Sequence, residues 1–315
     1  MRKFGDAVTS LPQFVAAGEA LTDLLKTGPD TWASRVGGST WNVARVVSRL
    51  GMASAFAGAV SRDVFGKDLA IASAQAGLDL RFLQEIERSP LLAVVHELDP
   101  PEYFFVGDDS ADLHFDANLL PAGWQRCAKW VHFGGISLAR QPLAEHLINM
   151  AALLKREGVA ISYDPNFRSL MDERYDPTLQ RMAALADVIK VSDEDLRGLF
   201  RCDDAEQAFG RLRGMNPNAI YLYTQGANGA QLHHGPDAWH APAPHVVVMD
   251  TVGAGDASMG ALLYSLSNTP SFDGEEHLRF AVAAGAVACT KSGATPPSLE
   301  EVEALMPKIA VGHRR

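Results

Sequence analysis

One short stretch constrains the chain more than any other. The apolar run His245 to Met249, which reads as a strand, passes through Asp250-Thr251-Val252-Gly253-Ala254-Gly255-Asp256 into Ala257 to Leu266, which reads as a helix. Glycines at 253 and 255 let the main chain turn successive N–H groups toward one point, and the start of a helix adds its partial positive charge there. Such a turn is a cup for a phosphate group. Asp256 gives the cup a second meaning, because a carboxylate beside an anion site is unfavourable unless its charge is used. It can take a proton from an alcohol attacking a phosphorus held by the amides of Gly253, Ala254 and Gly255. An Asp here also serves as a helix cap, and the stretch alone does not separate the two roles.

A distant segment carries a second glycine pair. Gly37-Gly38-Ser39-Thr40-Trp41-Asn42 runs into the helical pattern Val43, Val46, Val47, Leu50 and stops at Gly51. The glycines let a polyol approach the backbone, and Asn42 offers a donor and acceptors to hydroxyl groups. Taken with Gly18-Glu19-Ala20-Leu21-Thr22-Asp23 upstream and the Asp250 to Asp256 stretch downstream, the chain resembles the ribokinase-like sugar kinases, the PfkB family. Further segments resemble fructokinases in particular: Asp108-Asp109-Ser110-Ala111-Asp112, Ser162 to Arg168, Lys190 to Leu196, Thr224 to Gly229 and Thr290 to Pro296. The resemblance covers nearly the whole chain, in order.

Composition agrees with such an enzyme. No linker or charge block divides the 315 residues, which predicts one α/β domain over 1–315. A net charge of −10 disfavours a nucleic-acid partner, which needs a concentrated basic face. Cys127, Cys202 and Cys289 are odd in number and widely spaced, so neither a disulfide framework nor a zinc site is expected. No apolar run approaches the length of a membrane span, and Met1-Arg2-Lys3 is not followed by a signal-type core. A cytoplasmic protein with no membrane partner is the expectation.

Periodicity gives strands at Phe14 to Ala17, Ala53 to Val60, Trp130 to Phe133, Val159 to Tyr163, Val188 to Val191 and Ala219 to Tyr223. Helical patterns cover Phe65 to Gly77, Pro142 to Gly158, Pro177 to Ala186, 204–215, 257–266 and 275–290. The alternation predicts a doubly wound, mostly parallel sheet flanked by helices, with Asp23, Asp164, Ser192 and Thr224 just after strands, where ligands of such sheets collect. Leu91 to Leu98 and Tyr103 to Val106 read as short strands joined through Asp99-Pro100-Pro101. The resemblance makes them part of a small β lid from about 19–36 and 90–112; an edge hairpin fits them as well.

The resemblance implies ATP and Mg²⁺ as cofactors, with Asp256 as base. It places the sugar at Asp23, Gly37, Gly38, Asn42 and Phe105, with Arg168 near the phosphates or the sugar's far end; a surface ion pair is an equal reading of Arg168. The nucleotide would lie across Ser192, Thr224, Gly226, Gly229, Gly253, Gly255, Ala284 and Ala288, with helix packing through Ala and Gly the alternative for the stretch 284–293. Many relatives have Asn-x-x-Glu where this chain has Ser192-Asp193-Glu194-Asp195, so indirect magnesium contact would fall to Asp195, which could instead serve the helix start. A monovalent cation, K⁺, would map to Asp250, Ala288, Lys291 and Gly293, with Pro297 where a hydroxyl often helps. Relatives imply a homodimer through the lid.

For substrate, the aromatics of Tyr103-Phe104-Phe105-Val106 suit a neutral hexose, which puts fructose first. A keto-deoxy sugar acid would need Arg35 or Arg168 at its carboxylate and comes second; a nucleoside is third. Two other classes compete. Gly253-x-Gly255-x-x-Ser258 approximates a dinucleotide fingerprint, but its late position and its carboxylate are wrong for pyrophosphate. A non-catalytic sugar sensor fits the altered magnesium motif and is opposed by Asp256. His233, His234, His240 and His245 crowd together without metal-ligand spacing.

Overall fold

The computed structural model describes residues 10–98 and 101–314. It opens with β1 (Phe14–Ala17), β2 (Leu21–Gly28), β3 (Thr31–Gly37), α1 (Ser39–Arg49), β4 (Ser54–Ser61), α2 (Val64–Gln75) and β5 (Leu83–Ile86). Next come β6 (Leu92–Leu98), β7 (Pro101–Val106), β8 (Trp130–Gly134), α3 (Leu143–Arg156), β9 (Ala160–Asp164), α4 (Asp176–Leu185), β10 (Val188–Ser192) and α5 (Asp193–Phe200). The last third holds α6 (Ala205–Met215), β11 (Ile220–Thr224), β12 (Ala230–His234), β13 (Asp237–Ala241), α7 (Ala254–Asn268), α8 (Gly274–Cys289), α9 (Leu299–Leu305) and β14 (Gly312–Arg314).

The large sheet has the order β14-β13-β12-β11-β10-β9-β8-β1-β4-β5. Every pairing from β11 to β5 is parallel, and the hairpins β12 to β14 extend one edge antiparallel. Strand order reverses at β1, the topological switch where such sheets open a crevice at their carboxyl ends. β1 is buried on both faces because its residues alternate between two cores. Val15 and Ala17 pack with Val131, Phe133, Ile161 and Tyr163 on one face, while Phe14 and Ala16 pack with Trp41, Val43 and Met259 on the other.

On the second face α7 lies between α1 and α8, and small residues allow the close approach. A Cβ at Gly260 would stand 2.7 Å from Val46 Cγ1, and one at Gly285 would collide with Ser258 Oγ. This packing carries the amino end of α7 to the switch point.

The four-stranded sheet, order β3-β2-β6-β7, sits apart as the lid, with its strands drawn from 21–37 and 92–106. Its hairpins are antiparallel and its central pair, β2 with β6, is parallel. Phe104 and Val106 face solvent, whereas Tyr103 and Phe105 share the other face with ring centroids 5.6 Å apart.

Two expectations change. Residues 242–250 form no strand: Pro242 and Pro244 have no N–H for a ladder, and Val247 is 88% exposed. The segment is tied down where Met249 N and Asp250 N both donate to Cys289 O. Asp23 lies inside β2 of the lid and not after a strand of the large sheet, whereas Asp164, Ser192 and Thr224 are the final residues of β9, β10 and β11. Of the Asp99-Pro100-Pro101 turn, Asp99 and Pro100 lie outside the described residues. Periodicity missed α9 and the short strands β5 and β14, each under eight residues.

Candidate active site

Gly253 begins the site. It is the N-cap of α7 in a left-handed conformation, φ 80°, and a Cβ there would meet Ala294 Cβ at 2.7 Å. The Ala254 amide turns back to Thr251 O at 3.2 Å, while the amides of Gly253 and Gly255 have no acceptor among the described residues. Two of the three amides in the sequence-based cup are therefore free to hold an anion.

Asp256 follows in the first turn and does not cap the helix. Its Oδ1 accepts from Ser39 Oγ at 2.8 Å and its Oδ2 from Asn42 Nδ2 at 2.9 Å. Both donors come from the first turn of α1, whose N-cap Gly38 has φ 116°, so the two glycine elements meet at one carboxylate. Arg45 Nη1 donates to Asn42 Oδ1 at 3.2 Å and to Ala294 O at 3.1 Å, which orients the Asn42 amide with its N–H toward Asp256. Burial pushes the Asp256 pKa up, while the Asn42 and Ser39 bonds and the charges of Lys190 and Arg168 pull it down. The acid is thus buried, oriented and kept available as a base.

Asp23 reaches the same place from the lid. A Cβ at Gly37 would lie 2.6 Å from Asp23 Oδ2, so the first glycine of the pair makes room for this carboxylate. Burial raises Asp23 to about 6, against the pull of Arg168. Arg168 forms no ion pair within 4.0 Å among the described residues; its Nη1 holds Asn166 Oδ1 at 2.7 Å and Phe167 O at 2.7 Å. The surface ion-pair reading of Arg168 does not hold, and its charge acts on both Asp23 and Asp256.

Beneath the turn lies a buried charge cluster. Lys190 Nζ stands 3.1 Å from Asp164 Oδ2 and 3.6 Å from Asp195 Oδ2. Burial alone would depress the lysine, but Asp164, Asp195 and Asp256 outweigh it and hold it above its ordinary value. Asp195 closes a capping box with Ser192, accepting from Ser192 N at 2.8 Å, and its other oxygen accepts from Phe167 N at 2.8 Å. Asp164 Oδ2 is ion-paired with the ammonium but accepts no aligned hydrogen bond among the described residues.

The nucleotide-side residues are more scattered in role. Ser192 caps α5, Thr224 Oγ1 reaches Val191 O at 3.4 Å, and Gly226 and Gly229 have φ of 54° and 94°. Ala284 and Ala288 are packed in the core beside α7, so helix packing, the alternative weighed from sequence, accounts for their side chains. Asp250 Oδ1 accepts from Val252 N at 3.0 Å and Oδ2 from Gly293 N at 2.8 Å, which joins the anion turn to the 289–297 loop. Lys291 N donates to Ala288 O at 3.0 Å, and its Nζ pairs with Glu301 Oε2 at 2.6 Å. Phe105 is half-buried on the inner lid face. Among the histidines, His233 bonds Gln231 at 2.9 Å, and the described residues contain no group of three or more metal-ligating side chains.

Sequence reasoning passed over Ser39, Arg45 and Lys190. Ser39 was visible as the hydroxyl beside the glycine pair, and Lys190 as the single charge in the buried strand Val188-Ile189-Lys190-Val191. Arg45 gave no signal, since a basic residue on a helix is ordinarily solvated.

Residues 12–301 match the model of the pfkB family carbohydrate kinase. A fructokinase of Klebsiella pneumoniae is 34% identical over 289 residues, covering 88% of this chain and 93% of the relative. Among solved structures, a Xylella fastidiosa fructokinase with bound ATP superposes with a TM-score of 0.84 at 30% identity, over 94% of this chain and 99% of that one. A Vibrio cholerae fructokinase in a fructose, ADP and calcium ion bound form gives 0.81 at 27% identity, over 93% and 99%. With strand order, anion turn and buried acid all in place beneath these matches, the chain belongs to the pfkB family of carbohydrate kinases.

Proposed function

We propose that this protein is an ATP-dependent fructokinase working through Asp256. The observation that carries the reading is the pair of bonds from Ser39 and Asn42 to Asp256, one turn from the free amides of Gly253 and Gly255. A sugar hydroxyl placed between Asp256 and the anion turn gives its proton to that carboxylate as its oxygen attacks the γ-phosphorus. The bond to the ADP oxygen breaks, and the Gly253 and Gly255 amides stabilise the charge on the migrating group. Positioning by Asp23, the glycine pair and Asn42 supplies much of the acceleration.

Fructose is favoured by the fructokinases among the relatives and by the aromatic inner lid face of Tyr103 and Phe105. Magnesium would be held through a water by Asp164, whose buried Oδ2 pairs with the Lys190 ammonium but accepts no aligned hydrogen bond; Asp195 is the weaker candidate, since both its oxygens already accept amides. When bound, the ion neutralises phosphate charge. The donor set for potassium fits poorly: Asp250 has both oxygens engaged, the Ala288 carbonyl accepts Lys291 N, and Pro297 has no hydroxyl. No step is assigned to it.

The proposal includes a homodimer through the lid, in line with the exposed Trp32, Phe104 and Val106 there, and light scattering tests it. The unpaired Cys127, Cys202 and Cys289 suit a reducing cytoplasm. No described helix is long and apolar enough to cross a membrane.

The deciding experiment is a sugar panel with ATP and magnesium, read by ADP release, on the wild type and Asp256→Asn. Fructose should turn over fastest, and the variant should lose roughly 10²-fold or more in kcat at similar ATP affinity. Preference for a keto-deoxy acid would overturn the substrate, and full turnover by the variant would overturn the site.

A further inference from the structure

We propose that Lys190 is a positioning residue for phosphoryl transfer, its ammonium bracing the anion-binding turn from the protein side and supplying fixed positive charge beside Gly255. This rests on the placement of the phosphoryl group at Gly253 to Gly255. Lys190 is the one lysine buried among the described residues, at the third position of β10 between apolar neighbours. A buried lysine is costly even when paired, and an apolar residue of its volume is the cheaper solution for a strand interior. Its presence calls for a use.

Two contacts define that use. On one side Nζ meets Asp164 and Asp195 at 3.1 and 3.6 Å, and those carboxylates hold it in place. On the other side it lies against the turn: a Cβ at Gly255 would stand 3.0 Å from Lys190 Nζ and 3.4 Å from Cε, with no other side chain or separate backbone segment within 4 Å. Gly255 has no positive φ, so backbone conformation does not demand a glycine there. The missing side chain is room for the ammonium. Asp195 also anchors Phe167 N, beside Arg168, so one lysine ties the α5 cap, the Arg168 segment and the anion turn together.

A fixed cation behind the amides acts on charge that develops at the transferring group, in a site where water is excluded and electrostatic effects are large. It should therefore be felt in turnover more than in substrate affinity. The same charge offsets mutual repulsion among Asp164, Asp195 and Asp256 and pulls the Asp256 pKa down against the rise from burial.

Lys190→Met keeps the unbranched chain as far as Cε and removes the ammonium. The expected result is a kcat about 10²-fold lower, with KM for fructose and for ATP each within about threefold and a folded circular-dichroism spectrum. Gly255→Ala approaches the same contact from the other side and should also lower kcat at little change in KM; combined with Lys190→Met it should add little, because the ammonium it displaces is already gone. Wild-type kcat in folded Lys190→Met, a loss in Gly255→Ala that falls on the KM of ATP, or full additivity of the two would each overturn the proposal. If Lys190→Met does not fold, Gly255→Ala decides: a loss in kcat alone supports the role and wild-type kcat ends it. Asp256→Asn, assayed alongside, separates the two readings, since full turnover there removes the site itself, while an inactive Asp256→Asn beside an unimpaired Lys190→Met removes only the role of Lys190.

Discussion

Asn42 Nδ2 donates to Asp256 Oδ2 at 2.9 Å across 214 positions of sequence. The amide cannot turn its oxygen to the acid without losing Arg45, which holds Asn42 Oδ1 at 3.2 Å. A residue read from sequence as a sugar ligand therefore also sets the charge state of the base, and the glycine pair of α1 places both functions within one helical turn.

Asn42→Ala should accordingly change more than sugar affinity. The bond it removes lowers the Asp256 pKa, so its loss raises that pKa and moves the acid limb of the kcat profile to higher pH. We expect kcat/KM for the sugar to fall roughly 10-fold to 10²-fold with the KM of ATP within about threefold. A pH-rate series on wild type and variant checks this; an unmoved limb would show that Asn42 acts on the sugar alone.

Asp23 predicts a second pH effect. Burial raises it to about 6, so below that pH it is protonated and loses an acceptor for sugar hydroxyls. The kcat/KM for sugar should drop about tenfold for each pH unit below about 6. Arg168 lowers the Asp23 pKa, so Arg168→Gln should shift this limb upward. Asp23→Asn should abolish the Asp23 contribution, and an unchanged profile in both variants would exclude it.

Much of this is legible in the sequence. The strand and helix alternation points to the parallel core because buried strands such as Phe14 to Ala17 are short apolar runs set among helical patterns. The anion turn and Asp256 are legible only together with the second glycine element at 37–42, because glycines and an acid at a helix start alone read equally well as a cap. What escapes is decided by pairing across the chain. The run 245–249 has a strand's composition, yet no strand among the described residues pairs with it, and β2 and β3 are strands through their mutual pairing despite mixed composition. Ser39, Arg45 and Lys190 acquire roles only once α1, α7 and β10 converge.

Gly38 offers a test of that convergence. At φ 116° it sits where side chains are strained, and a Cβ would stand 2.7 Å from Glu19 O and 2.9 Å from Ala20 Cα, both backbone atoms that cannot swing away. Gly38→Ala should cost roughly 2 kcal/mol or more of stability and tilt the first turn of α1, taking Ser39 and Asn42 off Asp256. Denaturant midpoints and sugar kinetics should worsen together. A stable variant with normal kinetics would contradict the close approach.

Glu19 makes the stability itself depend on pH. It is 2% exposed, and burial raises its pKa from 4.5 to about 7, although Ser137 Oγ and Ser137 N both donate to it; the charge of Asp112 adds to the rise. Because the folded state keeps this proton longer than the unfolded chain, the contribution is fully present below pH 4.5 and is lost as pH rises through 7. Ionising the buried carboxylate then costs about 3 kcal/mol, since each pH unit between the folded and unfolded pKa is worth about 1.4 kcal/mol. Glu19→Gln keeps the shape without the charge, so it should match the wild type near pH 4 and become more stable than it above pH 7. Melting temperatures of the two proteins measured from pH 4 to 8 provide the check: a difference that stays flat, or that widens toward acid, would mean that the fold does not raise the Glu19 pKa and that its Ser137 bonds match or outweigh burial.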